Sequence, residues 1–391
     1  MFTFVIQTFT MDYQELYTLH KEPSLFGRYI TLKNIEPLLK NLQTQTIGHS
    51  VLNKPIYKYQ TGKGKLKILM WSQMHGNEST TTKAVFDFLN VLQSNSDFAK
   101  ELLSHFTFCI LPMLNPDGAE LYTRENANKI DLNRDFQKLS QPESQMLQHV
   151  FNTFQPNYCF NLHDQRTIFA AGNSGKPATI SFLAPSFNEN RDNNEVRIKA
   201  MNVIVAMNKT LQEFIPNQVG RFDDLFNINC VGDSFQSLNV PTILFEAGHF
   251  SQDYDREITR KYIFFALISG LLFFYENEVV SNKTDDYLQI PQNKVVFYDF
   301  VYKNVKIYYD NNKIITNFAA HYKEVLSNNQ IDFEAYIVQV GDLENYLGHY
   351  EFDAQLGQFQ DKKDSIPKIN EKADFCIGKL NIFVNGVLKV K

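Results

Sequence analysis

The stretch ILMWSQMHGNEST, Ile68–Thr80, joins a predicted buried strand to a predicted helix. Its first four residues form an apolar run that is typical of a strand covered on both faces, and the threonines at its end open a helix. His75 and Glu78 lie in the turn between the two elements, three residues apart. A strand-to-helix turn requires neither an imidazole nor a carboxylate, so this pair indicates chemistry rather than structure.

The composition excludes several classes of protein. The chain has 391 residues, a net charge of −5 and no cluster of Lys and Arg, so we expect no binding to nucleic acid or to an anionic membrane. The N-terminus lacks the basic region and cleavage site of a secretory signal, and the most apolar segment, Tyr262–Tyr275, is short for a membrane span and predicts a core helix. Four scattered cysteines without C-x-x-C spacing predict free thiols and a cytoplasmic protein.

The pattern along the chain predicts three regions. Residues 1–42 read as a helical segment. Residues 43–285 alternate continuous apolar strands with helices, which predicts an α/β domain with a mostly parallel central sheet and helices on both faces. Residues 286–391 alternate apolar and polar side chains around turns such as VNGV, which predicts a small C-terminal antiparallel β domain.

Polar residues follow four of the predicted strands, where an open parallel sheet places its ligands. The four stretches are MHGNE, NPDG, NLHDQ and FEAGHF. His75, Glu78 and His163 can thus meet at one edge, and two imidazoles with one carboxylate, leaving a fourth position for water, describe a catalytic zinc site. Taken singly, Glu78 also fits a first-turn acid at a helix N-terminus, and His163 fits a hydrogen-bonded core histidine.

The order of five motifs is similar to that of the zinc carboxypeptidase family typified by carboxypeptidase A. The motifs are IGHSVLNKPIYKY…GKLKILMWSQMHGNE, LPMLNPDG, TRENANKIDLNRDF, NLHD and ILFEAG. The resemblance runs from about Ile47 to Leu272 and does not cover the C-terminal β region. It implies a hydrolase with one Zn²⁺, held by His75, Glu78 and His163, that releases a C-terminal amino acid from a peptide.

The resemblance also implies roles for five further residues. Asp131 corresponds to a carboxylate that holds the first ligand histidine by its other nitrogen, although a turn or cap aspartate fits the sequence equally well. Asn133 and Arg134 correspond to the pair that binds the substrate's terminal carboxylate. The alternative for Arg134 is an ordinary ion pair on the surface. Arg124 would stabilise the developing oxyanion, and Glu246 would act as general base and acid.

One part of the family pattern is missing. Family members carry a mobile tyrosine about twenty residues before the catalytic glutamate, but the stretch GRFDDLFNINCVGDSFQSLNVP contains none. Val231 and Asp233 are candidate walls of a specificity pocket in this stretch. His249, three residues after Glu246, has no counterpart among the family's ligands, so we leave it out of the metal set.

Two other functions remain open at this stage. An amidohydrolase of the aspartoacylase and succinylglutamate desuccinylase type would cleave small N-acyl amino acids and also has a C-terminal β domain. An inactive binding module would keep the fold without hydrolysis. The substrate is therefore predicted to be a peptide or a small acyl amino acid, and the β domain is expected to bind a partner, cover the mouth of the site or extend the core.

Overall fold

The computed structural model describes residues 11–276, 281–309, 312–361 and 365–389, so the first ten residues of the predicted N-terminal segment lie outside it. Helices are present throughout the first three quarters of the chain, together with a short 3₁₀ turn at Leu132–Arg134. The helices are α1 (Tyr13–His20), α2 (Leu32–Leu39), α3 (Thr80–Gln93), α4 (Asp97–His105), α5 (Pro116–Leu121), α6 (Pro142–Phe154), α7 (Glu195–Phe214), α8 (Val231–Ser237), α9 (Glu257–Glu276) and α10 (Thr284–Gln289).

The strands alternate with these helices up to about residue 247 and then dominate the C-terminal region. They are β1 (Thr44–His49), β2 (Pro55–Gly62), β3 (Leu66–Ser72), β4 (Phe106–Leu111), β5 (Tyr158–Asp164), β6 (Phe169–Ala171), β7 (Ile180–Leu183), β8 (Val219–Arg221), β9 (Thr242–Ala247), β10 (Asn293–Val295), β11 (Phe297–Tyr309), β12 (Asn312–Ser327), β13 (Gln330–Gly341), β14 (Leu347–Asp353), β15 (Phe359–Gln360), β16 (Phe375–Ile377), β17 (Asn381–Val384) and β18 (Val387–Leu388).

The central sheet has eight strands in the order β1-β2-β4-β3-β5-β9-β7-β8. Four neighbouring pairs are parallel, and they include the β4-β3-β5-β9 centre of the sheet. The other three pairs are antiparallel. The sheet is therefore mixed, with a parallel centre whose carboxyl ends share one edge.

Strand β3 shows why the first apolar run is continuous. Ile68 and Met70 pack into one core on one face of the sheet, with side chains from α3, α7 and α9. Leu69 and Trp71 pack into a second core on the other face, with side chains from α6 and α8. Because successive strand side chains point to opposite faces, a strand buried on both sides needs apolar residues at every position. The α/β prediction is confirmed.

Two local predictions were too simple. The N-terminal segment forms two short helices, α1 and α2, separated by residues 21–31, and both helices contribute side chains to the main core. The pattern of residues 47–73 predicts two strands broken by a glycine-rich turn. The structure has three strands there, β1, β2 and β3. The apolar segment Tyr262–Tyr275 lies within the longer helix α9, of which Glu257–Tyr275 is apolar enough to cross a membrane by composition. Its side chains pack in the main core, as in a core helix.

The C-terminal region forms two four-stranded sheets with an apolar core of their own. The sheet order β13-β12-β11-β14 is antiparallel except for the parallel pair β11–β14. Asn385 and Gly386 of the VNGV turn have φ values of 52° and 79°, and Val384 pairs with Val387. Positive φ at both central residues matches the hairpin turn that Asn-Gly favours. The predicted β region is confirmed.

Candidate metal centre and active site

The parallel centre of the sheet brings the predicted ligands together. Strand β3 ends at Ser72, and its pairing with β5 places Ser72 beside Leu162, one residue before His163. The turn that follows β3 carries His75 and Glu78 over the same edge. The rings of His75 and His163 have centroids 4.7 Å apart, although 88 residues separate them along the chain.

The three side chains form a compact donor set. Glu78 Oε1 lies 2.8 Å from His75 Nδ1, and Glu78 Oε2 lies 2.8 Å from His163 Nδ1. The two Nδ1 atoms are 3.1 Å apart, and one ligand atom from each residue falls within 4.8 Å of the others. All three residues are buried. Two imidazole nitrogens and a carboxylate that converge in this way fit the donor chemistry of a zinc ion.

Asp131 contacts His75 at Nε2, the ring nitrogen that does not face Glu78. Its Oδ1 lies 3.0 Å from His75 Nε2 and also accepts a hydrogen bond of 2.9 Å from the backbone N–H of Asn133. Both sequence interpretations of Asp131 therefore describe contacts that exist, because the residue caps the short 3₁₀ turn and also faces the imidazole. These contacts hold the pKa of Asp131 well below its usual range, with the His75 hydrogen bond as the main stabilising cause against burial. His163 has no such support, since its Nε2 has no hydrogen-bond partner among the described residues.

Arg124 lies against the donor set. Its Nε donates to Asp131 Oδ2 at 3.1 Å and its Nη1 donates to Glu78 Oε1 at 3.2 Å. A guanidinium has five N–H donors, so donors remain for a substrate oxygen. Arg124 therefore contacts the donor set and still has N–H groups to offer to a ligand in the cleft.

Glu246 lies on β9 directly beside His163 on β5, as its Cα register partner. Its carboxylate has no hydrogen-bond or ion-pair partner among the described residues. Burial raises the pKa of Glu246 well above its usual range, and the negative charges of Glu78 and Asp164 raise it further. An unpaired carboxyl group with a raised pKa in a cleft is a candidate general base.

Asn133 and Arg134 offer donors in the same cleft. Asn133 Oδ1 accepts from the backbone N–H of Val231 at 3.1 Å, which fixes the amide and leaves its NH₂ group without a partner in the described chain. Arg134 donates from Nη1 to the carbonyl of Asn133, and no ion pair forms between its guanidinium and a described residue. Within the described part of the chain, Arg134 therefore does not form the surface ion pair that was its alternative role.

The sequence prediction missed Asp164, which follows His163. The N-terminus of α3 has no side-chain cap of its own. Asp164 supplies one from another strand, since its carboxylate accepts from the N–H groups of Thr80 and Thr81 at 3.0 and 3.4 Å. Its own N–H donates to Glu78 at 3.1 Å. Asp164 therefore fixes the helix that begins just after Glu78, and the NLHD motif contained this residue without a local sign of its role.

Two glycines allow the ligand turn to pack against its neighbour. A Cβ on Gly76 would come within 1.9 Å of the backbone carbon of Gly118, and a Cβ on Gly118 would meet Asn115 and the carbonyl of Glu125. No side chain fits at such distances, so the HGNE turn and the NPDG helix are in backbone contact. This contact explains why both motifs contain glycine.

Three further residues from the sequence analysis, Asp233, Val231 and His249, differ in their position relative to the cleft. Asp233 lines the cleft, and burial raises its pKa to about 7. Val231 is not a wall of the cleft, because its side chain is fully buried in the second core, and it contacts Asn133 only through its backbone N–H. His249 is buried away from the ligands, with its ring against His349 and Tyr254, so leaving it out of the metal set agrees with its position.

A cleft of about 830 Å³ is lined by the three metal-ligand candidates and by Arg124, Asn133, Arg134, Asp164, Asp233 and Glu246. Part of its wall comes from the C-terminal β region, which the motifs do not reach. The contributing residues of that region are Asp299, His321, Tyr322, Glu324 and Phe333. The sequence contained no signal for this arrangement, because alternating strands do not reveal what they pack against.

Comparison with known proteins agrees with this geometry. A family model described as zinc carboxypeptidase matches residues 31–181. Residues 31–181 are therefore similar to the zinc carboxypeptidase family. The matched part contains both histidines, Glu78 and the residues of the DLNR motif, whereas Glu246 and the C-terminal region lie beyond it. The zinc that gives the family its name fits the His75, Glu78 and His163 donor set.

Individual relatives cover smaller parts. A probable carboxypeptidase 2 from Arthroderma benhamiae is 30% identical over 113 residues, which are 29% of this chain and 21% of that protein. Carboxypeptidase E from Caenorhabditis elegans is 27% identical over 179 residues, covering 35% of this chain and 37% of that protein. The matches therefore span well under two thirds of either relative.

The comparison with solved structures concerns only the fold, because the sequence identity between them and this chain is low. A metallo-carboxypeptidase from Pseudomonas aeruginosa aligns over 62% of this chain and 68% of its own, with a TM-score of 0.50 at 15% identity. Bovine thrombin-activatable fibrinolysis inhibitor aligns over 64% of this chain and 98% of its own, with a TM-score of 0.50 at 14% identity.

Proposed function

We propose that this chain is a zinc-dependent metallocarboxypeptidase that hydrolyses the amide bond next to a free C-terminal carboxylate. The single observation that carries the proposal is the position of Glu246. A part-buried carboxylate without a partner among the described residues lies beside a group of two histidines and a glutamate, in a cleft that also presents the amide NH₂ group of Asn133 and the guanidinium of Arg134.

His75, Glu78 and His163 would hold the ion. When bound, zinc would supply Lewis-acid chemistry, polarising a carbonyl and making water more acidic. Asp131 would fix the orientation of the His75 ring and make its Nδ1 the ligating atom, because Asp131 occupies the other nitrogen.

The chain's own side chains would perform the remaining tasks. Asn133 and Arg134 would bind the terminal carboxylate, for which a guanidinium is suited because it can form two parallel hydrogen bonds. Arg124 would donate to the carbonyl oxygen as negative charge develops there. Glu246 would remove a proton from the attacking water on one of its carboxylate oxygens and pass that proton to the nitrogen of the leaving amine.

The test is a substrate panel with a matched inactive variant. The zinc-loaded protein is assayed on N-blocked dipeptides that differ in the last residue, on the same dipeptides with an amidated C-terminus, and on N-acetyl amino acids. We expect release of the C-terminal amino acid only from the free-carboxylate peptides. Glu246→Gln should bind one zinc per chain and lose at least about a hundredfold in kcat.

Other outcomes lead to other conclusions. Cleavage of the N-acetyl amino acids with no cleavage of peptides would favour the small-molecule amidohydrolase. Zinc binding without hydrolysis of any substrate would favour an inactive binding module. A cytoplasmic location, expected from four cysteines that form no disulfide, stays a prediction.

A further inference from the structure

We infer that the C-terminal β region forms the acyl-side wall of the cleft and restricts substrates to short peptides. This inference rests on the proposed function and names its substrate class. It concerns residues of β12 and β13, which lie outside the part of the chain that matches the family.

The wall is fixed to the catalytic region at several points around the cleft. Glu324 on β12 is 2.9 Å from the guanidinium of Arg28 and accepts a hydrogen bond of 2.5 Å from Tyr122 Oη. Asp299 on β11 accepts a hydrogen bond of 2.8 Å from Tyr254 Oη. Arg28 and Asp299 are almost fully buried, so these contacts are not surface ion pairs.

Backbone pairing adds to these side-chain contacts. Strand β10 pairs with β6 of the catalytic region in three register positions. The Nε2 of His349 on β14 lies 2.8 Å from the carbonyl of Thr167, and the N–H of Phe297 donates to the carbonyl of Ile168. A region that is held by part-buried ion pairs and hydrogen bonds and by a shared sheet behaves as a fixed wall, because moving it would leave these polar groups unpaired.

A chain of contacts links this wall to the predicted carboxylate site, and both line the same cleft. The N–H of Asn133 donates to Asp131, and Asp131 accepts from Arg124. Tyr122, two residues before Arg124, donates to Glu324. The metal ligands contact the middle of this chain, at Asp131 and Arg124.

The chain of contacts suggests a direction for a bound substrate. With the terminal carboxylate at Asn133 and the scissile amide at the metal ligands, the inference has the acyl side of the substrate extend toward Tyr322 and Glu324, which line the same cleft. The cleft volume of about 830 Å³ falls in the range of about 300–1,000 Å³ that is usual for small-molecule sites.

The surface of the wall suits an acyl group. The rings of Tyr254, Tyr322 and Phe333 contact one another, with centroids 4.9 to 5.7 Å apart, and all three residues line the cleft. The hydroxyl of Tyr322 has no hydrogen-bond partner among the described residues, so it can donate to a carbonyl of the substrate. Its own position is fixed, because its N–H donates to the buried Asp299 at 3.0 Å.

The experiment is a length series on the zinc-loaded full chain. Substrates share one C-terminal dipeptide and carry none, one, two, four or eight further residues before it. We expect kcat/KM to fall at least tenfold between the shorter and the longer members. Phe333→Ala should reduce that fall at least threefold. Phe352→Ala, the same change at a half-buried aromatic residue that does not line the cleft, should leave the fall unchanged.

Tyr322→Phe is a second variant that removes only one oxygen and keeps the ring packing. We expect KM for an acylated dipeptide to rise about 2- to 10-fold, with kcat unchanged, because a neutral hydrogen bond contributes about 0.5–1.5 kcal/mol. Equal kcat/KM along the whole series would overturn the inference while leaving the carboxypeptidase proposal intact. Absence of cleavage at every length would reject the proposed function, and the inference with it.

Discussion

Replacing Asp131 with Asn tests how the site holds zinc. The carboxylate of Asp131 faces His75 Nε2 at 3.0 Å and also accepts the cap hydrogen bond from Asn133. Asn is as good a cap as Asp, so the cap contact is kept, whereas the negative charge behind the imidazole is lost. Loss of such a supporting group typically weakens metal binding by about 10- to 100-fold. That factor corresponds to about 1.4–2.7 kcal/mol.

The assay has two parts. Zinc affinity is measured at pH 7 by competition with a chromophoric chelator, and the free energy of unfolding of the zinc-free protein is measured in urea. We expect Asp131→Asn to raise the zinc Kd at least tenfold, while the zinc-free protein stays folded, so that the urea measurement separates lost zinc affinity from lost stability.

Asp135→Asn is the matched control for this prediction. Asp135 is buried in the same loop and accepts hydrogen bonds from Ser140 and Gln141, without contact to a ligand residue. We expect it to lower stability and to leave the zinc Kd unchanged. A zinc affinity of Asp131→Asn within twofold of the wild type would refute the role of Asp131 in orienting His75.

Three shorter predictions concern substrate binding, loop packing and pH. Arg134→Lys should lower kcat/KM about 10- to 150-fold, mainly through KM, because charged hydrogen bonds contribute about 1.5–3 kcal/mol; an unchanged KM would count against the carboxylate site. Gly76→Ala should abolish zinc binding or folding, since its Cβ would clash with Gly118, and a folded variant with normal zinc content would contradict the backbone contact. Burial lowers the pKa of the imidazoles of His249 and His349, and the neighbouring His349 lowers the pKa of His249 further. The unfolded chain therefore binds protons more readily, and the free energy of unfolding in urea should fall below about pH 6.5 by at most about 1.4 kcal/mol per pH unit for each ring; a flat profile between pH 7.5 and 5.5 would argue against this.

The sequence by itself determined the order of the central elements and the donor set. The apolar run before His75 had to be a strand buried on both faces, because it has no polar alternation, and the threonines after Glu78 do open a helix, α3. The spacing of His75 and Glu78 in a strand-to-helix turn was a local signal for chemistry. Local patterns suffice here because hydrophobic period and turn chemistry are properties of neighbouring residues.

Only the tertiary structure decided what surrounds the donor set. Asp164 caps α3 from 84 residues away, and Glu324 lies 202 residues from Tyr122 and 296 from Arg28. No local pattern encodes such pairs, since each partner alone looks like an ordinary polar residue in a turn or strand. The wall of the cleft therefore follows from how two separate cores pack together, which depends on the whole chain and not on any one segment of it.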